Sequence, residues 1–463
     1  MWGADGIEEE ALEKALQGLI RRHRSLHLRF YKNEQGEWAQ RYEDYENLVE
    51  YKKGICRIED LEGLFAEEAR KKQLEIAEEI QRSLNIQEGP LFQGVLFKGG
   101  KEGDTLLLVC HHLVVDSVSW RILIDDLETA YKQALEGKEE ITLPEETKSY
   151  GWWTQELEKL ANEEDYQKEI SYWEEVLDQQ GTPLPRDIEG TGENTVEHMG
   201  EVTTELSAEL TQKLLQEVPS AYRTQINDIL LTALGYAIQE WAGSKRIGLM
   251  LEGHGREQLT EEMDLSRTVG WFTSIYPVVL DLKKVKESLR KIPRKGVGYG
   301  MLKYLTEEGR DRLNNKVEPE LSFNYLGQID GGGQKGLFRY REGSTGSYTA
   351  SQNRRPRILE INSQVMDGRL NVHIGYSTHL HSKETISSFS EKFIDTLKKI
   401  ITHCCEEKHF GYTPSDFPLA KINQEQLDEV FGDIPNIEDI YPLSPMQEGL
   451  LFQKLFHPKS NAY

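Results

Sequence analysis

Hydrophobic and polar residues follow two different periods along the first part of the chain. Residues 8–24 carry apolar positions at helical spacing and acidic residues in the first turn, which predicts an amphipathic helix. Residues 26–42 alternate around a polar turn and predict a hairpin. A long charged helix is expected over residues 64–84, and the apolar run at residues 106–110 predicts a buried strand.

The middle of the chain repeats helix and strand patterns after an irregular stretch. Residues 178–195 are rich in Gly, Pro and Asp and lack periodicity, so we expect a crossing between two lobes there. Helices are predicted over residues 206–218 and 225–242, and an apolar strand over residues 247–251 ends in a polar turn. Two later stretches are expected to be flexible because of their composition, residues 331–333 and 342–352.

Composition and charge restrict the class of protein. The 463 residues are 38% hydrophobic and 29% charged, enough for a large core and about two to three domains. A formal charge of -24 argues against nucleic acid or an anionic membrane as a general partner. No apolar run reaches the roughly 18 residues that span a bilayer, and the N-terminus has no signal-peptide pattern. These features predict a cytoplasmic location.

The placement of cysteine and histidine argues against the common metal sites. The four cysteines fall at no metal-ligand spacing, and two of them, Cys404 and Cys405, are neighbours that could not easily pair. The 12 histidines show no HExxH motif and no paired Cys/His spacing. We therefore predict reduced, structural thiols and no metal site.

The most informative stretch is HHLVVDSVSW at residues 111–120, directly after the predicted buried strand. His111 and His112 lie where that strand ends, and strand ends bring side chains into clefts. An isolated histidine pair is more often packing than chemistry. The whole pattern, however, resembles the HHxxxDG signature of condensation-type domains of nonribosomal peptide synthetases, and VSWRIL is typical of their epimerization branch. Ser117 replaces the usual glycine, so we expect a strained or reshaped turn after Asp116.

The resemblance covers roughly residues 7–420 and implies the fold of the family. That fold is α/β, with two chloramphenicol-acetyltransferase-like lobes that form a V-shaped pseudodimer with a central channel. The family's opening motif is absent from residues 1–20, so the first lobe is expected to be truncated at its start. NIEDIYPLSPMQEGLLFQKL in turn resembles the opening of a condensation domain. We expect an N-terminal lobe, a C-terminal lobe, a linker and the start of a following condensation domain, at residues 1–180, 181–420, 421–440 and 441–463.

The implied reaction inverts a stereocentre beside a thioester carbonyl, which requires a base and an acid on two sides of a planar enolate. His112 meets one requirement, since an unperturbed imidazole titrates near pH ~6.5. Glu252 is the second candidate, because it ends the predicted strand and opens EGHGRE, a segment that matches the family. Burial between the lobes would raise its pKa and let it act as acid or base. The other interpretation of Glu252 is a surface residue in a turn.

The remaining motif residues are expected to support this pair. Asp116 could orient the imidazole or hold its loop by pairing with an arginine, and the resemblance favours the second, with Arg256 as partner. His111 and Trp120 are expected to be structural. Substrate positioning is expected from three residues, Asn324, Tyr325 and His254, although Tyr325 could equally belong to the core and His254 could face only the turn. Three residues of a bridge-like segment are expected to line the channel, Trp271, Phe272 and Ser274.

The resemblance implies epimerization at Cα, from L to D, of an aminoacyl or peptidyl group held by thioester on the phosphopantetheine arm of a carrier domain. No cofactor is expected to bind to this domain directly. The expected partners are an upstream peptidyl carrier domain and a downstream condensation domain, with no nucleic acid and no membrane. Two alternatives stay open, which are a condensation domain that forms a peptide bond and a non-catalytic scaffold that docks carriers.

Overall fold

The computed structural model describes residues 1–4, 6–100, 103–179, 181–189, 193–328, 336–340, 345–406, 409–432 and 434–456. Residues 331–333 and 342–344 of the predicted flexible stretches therefore lie outside the described residues, as do residues 457–463 of the predicted downstream domain.

Strands and helices alternate along the described residues. The strands are β1 (Trp2–Ala4), β2 (Leu28–Lys32), β3 (Trp38–Tyr42), β4 (Cys56–Asp60), β5 (Phe92–Lys98), β6 (Asp104–Cys110), β7 (Met199–Glu205), β8 (Arg246–Gly253), β9 (Ser274–Asp281), β10 (Leu321–Gln328), β11 (Arg339–Tyr340), β12 (Leu359–Met366) and β13 (Arg369–Ser377). The helices are α1 (Glu9–Arg22), α2 (Ala66–Ser83), α3 (Ser117–Leu135), α4 (Tyr150–Ala161), α5 (Glu164–Gln167), α6 (Glu169–Asp178), α7 (Ala208–Gln216), α8 (Val218–Tyr222), α9 (Ile226–Ala242), α10 (Val285–Arg290), α11 (Val297–Leu305), α12 (Glu307–Leu313), α13 (Lys383–Cys404), α14 (Gln424–Phe431) and α15 (Pro445–Phe456).

The predicted elements of the first part of the chain are confirmed. The two predicted helices correspond to α1 and α2, the hairpin to β2 and β3, and the buried strand to β6. The helix predicted over residues 206–218 corresponds to α7, and a separate short helix, α8, begins at residue 218 with Pro219 in its first turn. Within the described ranges, no helix is both long and apolar enough to cross a lipid bilayer.

The first lobe is built on a five-stranded sheet in the order β11-β1-β6-β5-β4. Helices α1 and α3 pack on one face of this sheet, where their side chains join a hydrophobic cluster with Leu106 and Leu108 of β6. Helix α2 covers the other face and packs against Leu107. Because both faces are covered, β6 is apolar at consecutive positions and does not alternate. Packing on both faces therefore holds β6 in place where the histidine motif begins.

The second lobe contains a six-stranded sheet in the order β7-β13-β12-β10-β8-β9. Helices α9 and α13 pack against this sheet and against each other, and they bury one face of it. Along β12 the positions alternate between buried residues such as Ile361 and more accessible polar residues such as Asn362. This alternation is typical of a sheet with one face in the core and one face open to solvent.

The change of hydrophobic core does not coincide with the predicted boundary at residue 180. Trp153, Tyr166 and Trp173 of α4, α5 and α6 lie in the cluster of the second lobe. The described residues 181–189 and 193–195 of the irregular stretch also contact the second lobe, where Asp187 N donates to Leu380 O at 3.0 Å. The chain therefore passes between the lobes earlier, in the segment between α3 and α4. Gly and Pro content shows that a segment is irregular, but it does not show which core its flanking helices join.

The predicted linker, residues 421–440, lies against the second lobe. Arg223 Nη2 donates to Glu438 O at 3.3 Å, and Tyr412 Oη donates to Ile434 O at 3.2 Å. The helix that follows, α15, has no buried residue. It exposes several large apolar side chains, which are Met446, Leu450, Leu451, Phe452, Leu455 and Phe456.

Candidate active site

The histidine motif lies at the end of β6, where the chain leaves the first sheet. His112 begins a short 3-10 turn, and its Nδ1 donates to Val115 O at 2.8 Å. A carbonyl oxygen can only accept, so this hydrogen bond favours the tautomer that carries the proton on Nδ1 and the lone pair on Nε2. The imidazole is exposed, and its ring centre lies 5.3 Å from that of Trp271. The arrangement presents an imidazole that can accept a proton.

His111 has a different environment from its neighbour. It is partly buried, and its Nδ1 accepts from Leu113 N at 3.2 Å within the same turn. Burial lowers the pKa of His111, and the adjacent His112 lowers it further. His111 is therefore placed as a neutral residue that shapes the turn, and Trp120 packs against the core cluster of the first lobe.

Asp116 connects the motif to the second lobe. Its Oδ1 caps helix α3 by accepting from Ser119 N at 2.7 Å, and its Oδ2 accepts from Phe272 N at 3.2 Å. The predicted contact with Arg256 is present, with Nη2 at 3.0 Å from Oδ1 and 3.1 Å from Oδ2. The two side chains are 4% and 7% exposed, so the ion pair is buried.

Both terminal nitrogens of the Arg256 guanidinium form hydrogen bonds in this contact region. Its ring partner is Phe272, whose centre lies 4.0 Å from the guanidinium carbon. Ser119 strengthens the same junction, because its Oγ donates to Gly270 O at 2.9 Å. Besides Asp116, the guanidinium donates to oxygen atoms of Ser119, Leu265 and Thr268 at 2.9, 2.8 and 2.7 Å. The two lobes are therefore joined by a compact polar tether beside His112.

The expected strain at Ser117 is absent, and that prediction was wrong. Ser117 is the first residue of α3, directly after the capping Asp116. It is not among the residues with positive φ, whereas those that do have positive φ include Gly255 on the facing turn. A serine is well tolerated in the first turn of a helix, so the missing glycine has no backbone penalty here.

Glu252 lies near the end of β8, next to β10. Phe323 pairs with Leu251 in the parallel register of these strands, so Asn324 follows beside Glu252. Asn324 Nδ2 donates to Glu252 Oε2 at 2.7 Å. The Glu252 side chain is accessible to solvent, yet the protein atoms around it are close enough to desolvate its carboxylate. This desolvation raises the pKa of Glu252, the charge of His112 lowers it, and the charge of Glu360 raises it.

His112 and Glu252 are related electrostatically, since the charge of His112 lowers the pKa of Glu252. His112 comes from the first lobe and Glu252 from the second. The Trp271 ring lies beside the imidazole of His112, and whether it lines the channel stays a prediction. Phe272 is instead a core residue that is 1% exposed, and Ser274 begins β9 opposite Gly253.

Two of the expected positioning residues have contacts with other parts of the second lobe. His254 Nε2 lies 3.1 Å from Glu257 Oε1, and His254 Nδ1 accepts from Arg256 N at 3.0 Å, so its contacts are within its own turn. Tyr325 packs against the core cluster of the second lobe. Successive strand residues point to opposite faces, so Tyr325 cannot share the face of Asn324. The alternation of Leu321, Phe323 and Tyr325 was a signal in the sequence for this placement.

A second tether between the lobes involves residues that were not predicted from the sequence. Asp126 of α3 is 1% exposed and lies 2.9 Å from His23 Nε2. Arg267, from the second half of the chain, forms a further ion pair with Asp126. Ser119 and Asp126 lie two helical turns apart on the buried side of α3. Two polar residues on the buried stripe of a helix were the signal that could have found this contact.

No group of three or more potential metal ligands occurs among the residues that the structure describes. The four cysteines are free thiols. Burial raises the pKa of Cys56 to about 12, with the charge of Glu13 as a further cause, so this thiol stays protonated near neutral pH.

Comparison with known proteins gives two kinds of match in sequence. The sequence profile of the family described as "Condensation domain" matches residues 4–421. One of the linear gramicidin synthase proteins of Brevibacillus parabrevis is 41% identical over 472 residues, which cover 99% of this chain and 9% of that protein. Tyrocidine synthase 1 of the same organism is 38% identical over 462 residues, which cover 94% of this chain and 41% of that protein. The chain thus spans less than half the length of these relatives.

Solved structures match the fold over most of the chain. The epimerization domain from the third module of tyrocidine synthetase B has 36% sequence identity and a TM-score of 0.78, and the match covers 87% of this chain and 90% of that one. The first condensation domain of the calcium-dependent antibiotic synthetase has 16% identity and a TM-score of 0.64, with 88% and 91% covered. The second likeness concerns the fold alone. The predicted fold class is confirmed: it is α/β, with two chloramphenicol-acetyltransferase-like lobes around a channel.

Proposed function

Because the chain belongs to the condensation-domain family, we propose that it epimerizes an aminoacyl or peptidyl group at Cα. The group is held by thioester on the phosphopantetheine arm of a carrier domain. The observation that carries this proposal is the placement of His112 at the end of β6 in the first lobe and of Glu252 near the end of β8 in the second, where the charge of His112 lowers the pKa of Glu252. The 36% identity to an epimerization domain also supports it.

The reaction needs two groups because a planar intermediate must lose and regain a proton on opposite faces. One group takes the Cα proton, and the electron pair of the broken C–H bond is delocalised into the thioester carbonyl. The other group then donates a proton to the opposite face of Cα. His112 and Glu252 serve as this pair, and each acts as base in one direction and as acid in the other.

The proton balance of this pair is simple. Before the reaction one partner holds a proton, and after it the other partner holds one, so the net charge of the pair does not change. The desolvated Glu252 supports this exchange, since its raised pKa brings it closer to that of an imidazole. Matched proton affinities keep both directions of transfer accessible near neutral pH.

The surrounding contacts give the pair its geometry. The hydrogen bond from Asn324 fixes the orientation of the Glu252 carboxylate. The bond from His112 Nδ1 to Val115 O fixes the imidazole ring and leaves Nε2 for proton transfer. The buried pair of Asp116 and Arg256 holds the two lobes at the distance that this arrangement requires.

The substrate and partners follow from the same proposal. An upstream peptidyl carrier domain delivers the thioester, and a downstream condensation domain, whose start we assign to residues 441–463, accepts the D-configured chain. The relatives are much longer than this chain, which agrees with neighbouring domains in one polypeptide. We further propose that residues 421–440 serve as the linker between the two domains.

Condensation is the second candidate function, favoured by the description of the matching family. In that case His112 would act on the incoming amine, and Glu252 would have no proton to exchange with Cα. A non-catalytic scaffold is the third candidate, in which neither side chain would be needed. The alternatives therefore differ in what they require of Glu252.

The deciding experiment is solvent deuterium wash-in at Cα of an aminoacyl or peptidyl thioester on a phosphopantetheinyl carrier. We expect uptake by the wild type, and its loss in both Glu252→Gln and His112→Ala with unchanged circular dichroism. His254→Ala is a matched control, because this nearby side chain has its contacts within its own turn. Amide formation with a second loaded carrier, in a folded protein that shows no uptake, would establish condensation instead.

A further inference from the structure

The open face of the second sheet carries a row of polar side chains that reaches Glu252. Asn362 of β12 lies beside Asn324 of β10, and Asn324 lies beside Glu252 of β8. Glu360 is two residues before Asn362 on the same strand, so it points to the same face. It is only partly buried, whereas its strand neighbour Ile361 is in the core. A second carboxylate thus shares the surface on which Glu252 lies.

Glu360 forms an ion pair with Arg355. Arg355 Nη2 donates to Glu360 Oε2 at 3.0 Å, and the arginine side chain is only 3% exposed. Asn194 fixes the arginine, since Arg355 Nη1 donates to Asn194 Oδ1 at 3.2 Å and Asn194 Nδ2 donates back to Arg355 O at 3.2 Å. Removing a guanidinium from water costs free energy, and the ion pair with Glu360 and the hydrogen bonds with Asn194 offset this cost for Arg355.

We propose that Arg355 and Glu360 are a positioning pair for the reaction: Glu360 places a negative charge on the sheet face of Glu252, and Arg355 determines how much of that charge Glu252 experiences. The functional part of this inference rests on the proposed epimerization, because it concerns the proton affinity of one member of the acid–base pair.

The other charged groups near Glu252 are engaged with partners of their own. Arg256, on the turn after β8, is paired with Asp116. Glu257 of the same turn lies 3.1 Å from both His254 and Lys295.

The two strands beside β8 contribute no charge at this level of the sheet. Strand β9 places Ile275 opposite Glu252, and β10 contributes the amide of Asn324. Among the residues that the structure describes, the charges that shift the pKa of Glu252 are those of His112 from the first lobe and Glu360 from β12. They act in opposite directions, since an imidazolium favours the carboxylate and a second carboxylate disfavours it.

The consequence for the reaction is a balance of proton affinities. Glu252 must hold a proton in half of the catalytic states and release it in the other half. Glu360 makes the release harder, and Arg355 limits this effect by neutralising Glu360. A change in either residue should therefore move the pH dependence of exchange, and the two changes should move it in opposite directions.

The test measures the acid-side midpoint of deuterium wash-in against pH for three variants. Glu360→Gln removes the facing negative charge, so the midpoint should move to lower pH by about 0.5 pH unit, the effect of one charge near 10 Å in a partly solvated site. Arg355→Gln leaves Glu360 unneutralised, so the midpoint should move to higher pH by a similar amount. Arg355→Lys keeps the charge and should stay near the wild type.

A matched control comes from the far edge of the same sheet. Glu205→Gln also removes one carboxylate, but Glu205 lies on β7 and pairs with Arg369. Its midpoint should not move. The same four variants are titrated by carbon-13 NMR of labelled glutamate carboxyl groups, with the Glu252 signal assigned by its loss in Glu252→Gln. This second measurement does not depend on turnover.

The outcomes separate the inference from the proposed function. Midpoints of Glu360→Gln and Glu205→Gln that agree within about 0.1 pH unit overturn the inference, and this comparison decides the matter even where Arg355→Gln fails to fold. If the wild type shows no wash-in, the proposed function is overturned. If the NMR titration midpoint of Glu252 nevertheless moves in Glu360→Gln, the electrostatic coupling between Glu360 and Glu252 is supported. Equal and parallel shifts in all variants also contradict the inference, because they would reflect a general change in stability.

Discussion

Replacing Asp116 by asparagine isolates the charge of the buried tether between the lobes. Asparagine caps a helix about as well as aspartate, so the bond from Ser119 N can persist. The Arg256 guanidinium, which is 7% exposed, would lose its counter-charge. Removing one partner of a buried ion pair destabilises a protein by about 3–5 kcal/mol. We expect about 3 kcal/mol, because the carbonyls of Leu265 and Thr268 still accept from the guanidinium.

The expected change in melting temperature follows from the size of the chain. An unfolding entropy of about 2.1 cal/mol/K per residue gives about 1 kcal/mol/K for 463 residues. A loss of about 3 kcal/mol then lowers Tm by about 3 °C if the chain unfolds as one unit, and by roughly twice that if one lobe unfolds first.

Differential scanning calorimetry of the wild type and Asp116→Asn measures this effect. Asp125→Asn is the matched control, because it is the same substitution on an exposed position of the same helix. Deuterium wash-in is measured in parallel. The reasoning would be refuted if Asp116→Asn had the same Tm as the Asp125→Asn control but no wash-in. Asp116 would then act on the imidazole of His112 and not on the contact between the lobes.

Three further predictions concern the site and its lobe. Asn324→Ala removes a hydrogen bond to a charged carboxylate worth about 1.5–3 kcal/mol, so wash-in should fall about 10- to 100-fold while Tm falls by no more than about 3 °C; an unchanged rate would contradict its role in orienting Glu252. His254→Ala should keep wash-in within about threefold of the wild type, and a larger loss would place this histidine in the reaction. Burial would raise the pKa of Glu318, but hydrogen bonds from a lysine, an arginine and a tyrosine outweigh it and lower the pKa to about 2. Stability from Glu318, about 3 kcal/mol, is therefore present above its unfolded pKa of ~4.3 and lost as pH falls towards 2. Calorimetry across this range should show a steeper fall of Tm in the wild type than in Glu318→Gln, and parallel curves would contradict it.

Much of the candidate site could be predicted because its residues lie where strands end. His112 follows the apolar β6, and Glu252 follows the apolar part of β8. An apolar run that stops at a polar side chain marks the place where a strand leaves the core, and this signal is local. The contact between Asp116 and Arg256 was also predicted, but through the family resemblance, since 140 residues separate them.

The failures of prediction have physical causes that differ from residue to residue. Ser117 was expected to strain a turn, but it lies in the first turn of α3, where serine is well tolerated. For Tyr325 two placements were open, at the site or in the core; its side chain packs against the core cluster of the second lobe, in line with the alternation of its strand. Arg355 and Glu360 carried no sequence signal at all, because neither belongs to a motif and their importance depends on the strand order of the sheet.

Local sequence patterns were enough to predict the amphipathic α1, the charged α2, the hairpin, the two apolar strands and the polar residues at their ends. Periodicity records which side of an element is buried, because each residue is selected for contact with apolar or aqueous surroundings. Periodicity does not record which partner buries that side. Long-range packing is what joins α4 to α6 to the second core, connects the lobes through Asp116 and Asp126, and places Glu360 on the same face as Glu252. These contacts depend on the packing of segments more than 100 residues apart, which no local pattern encodes.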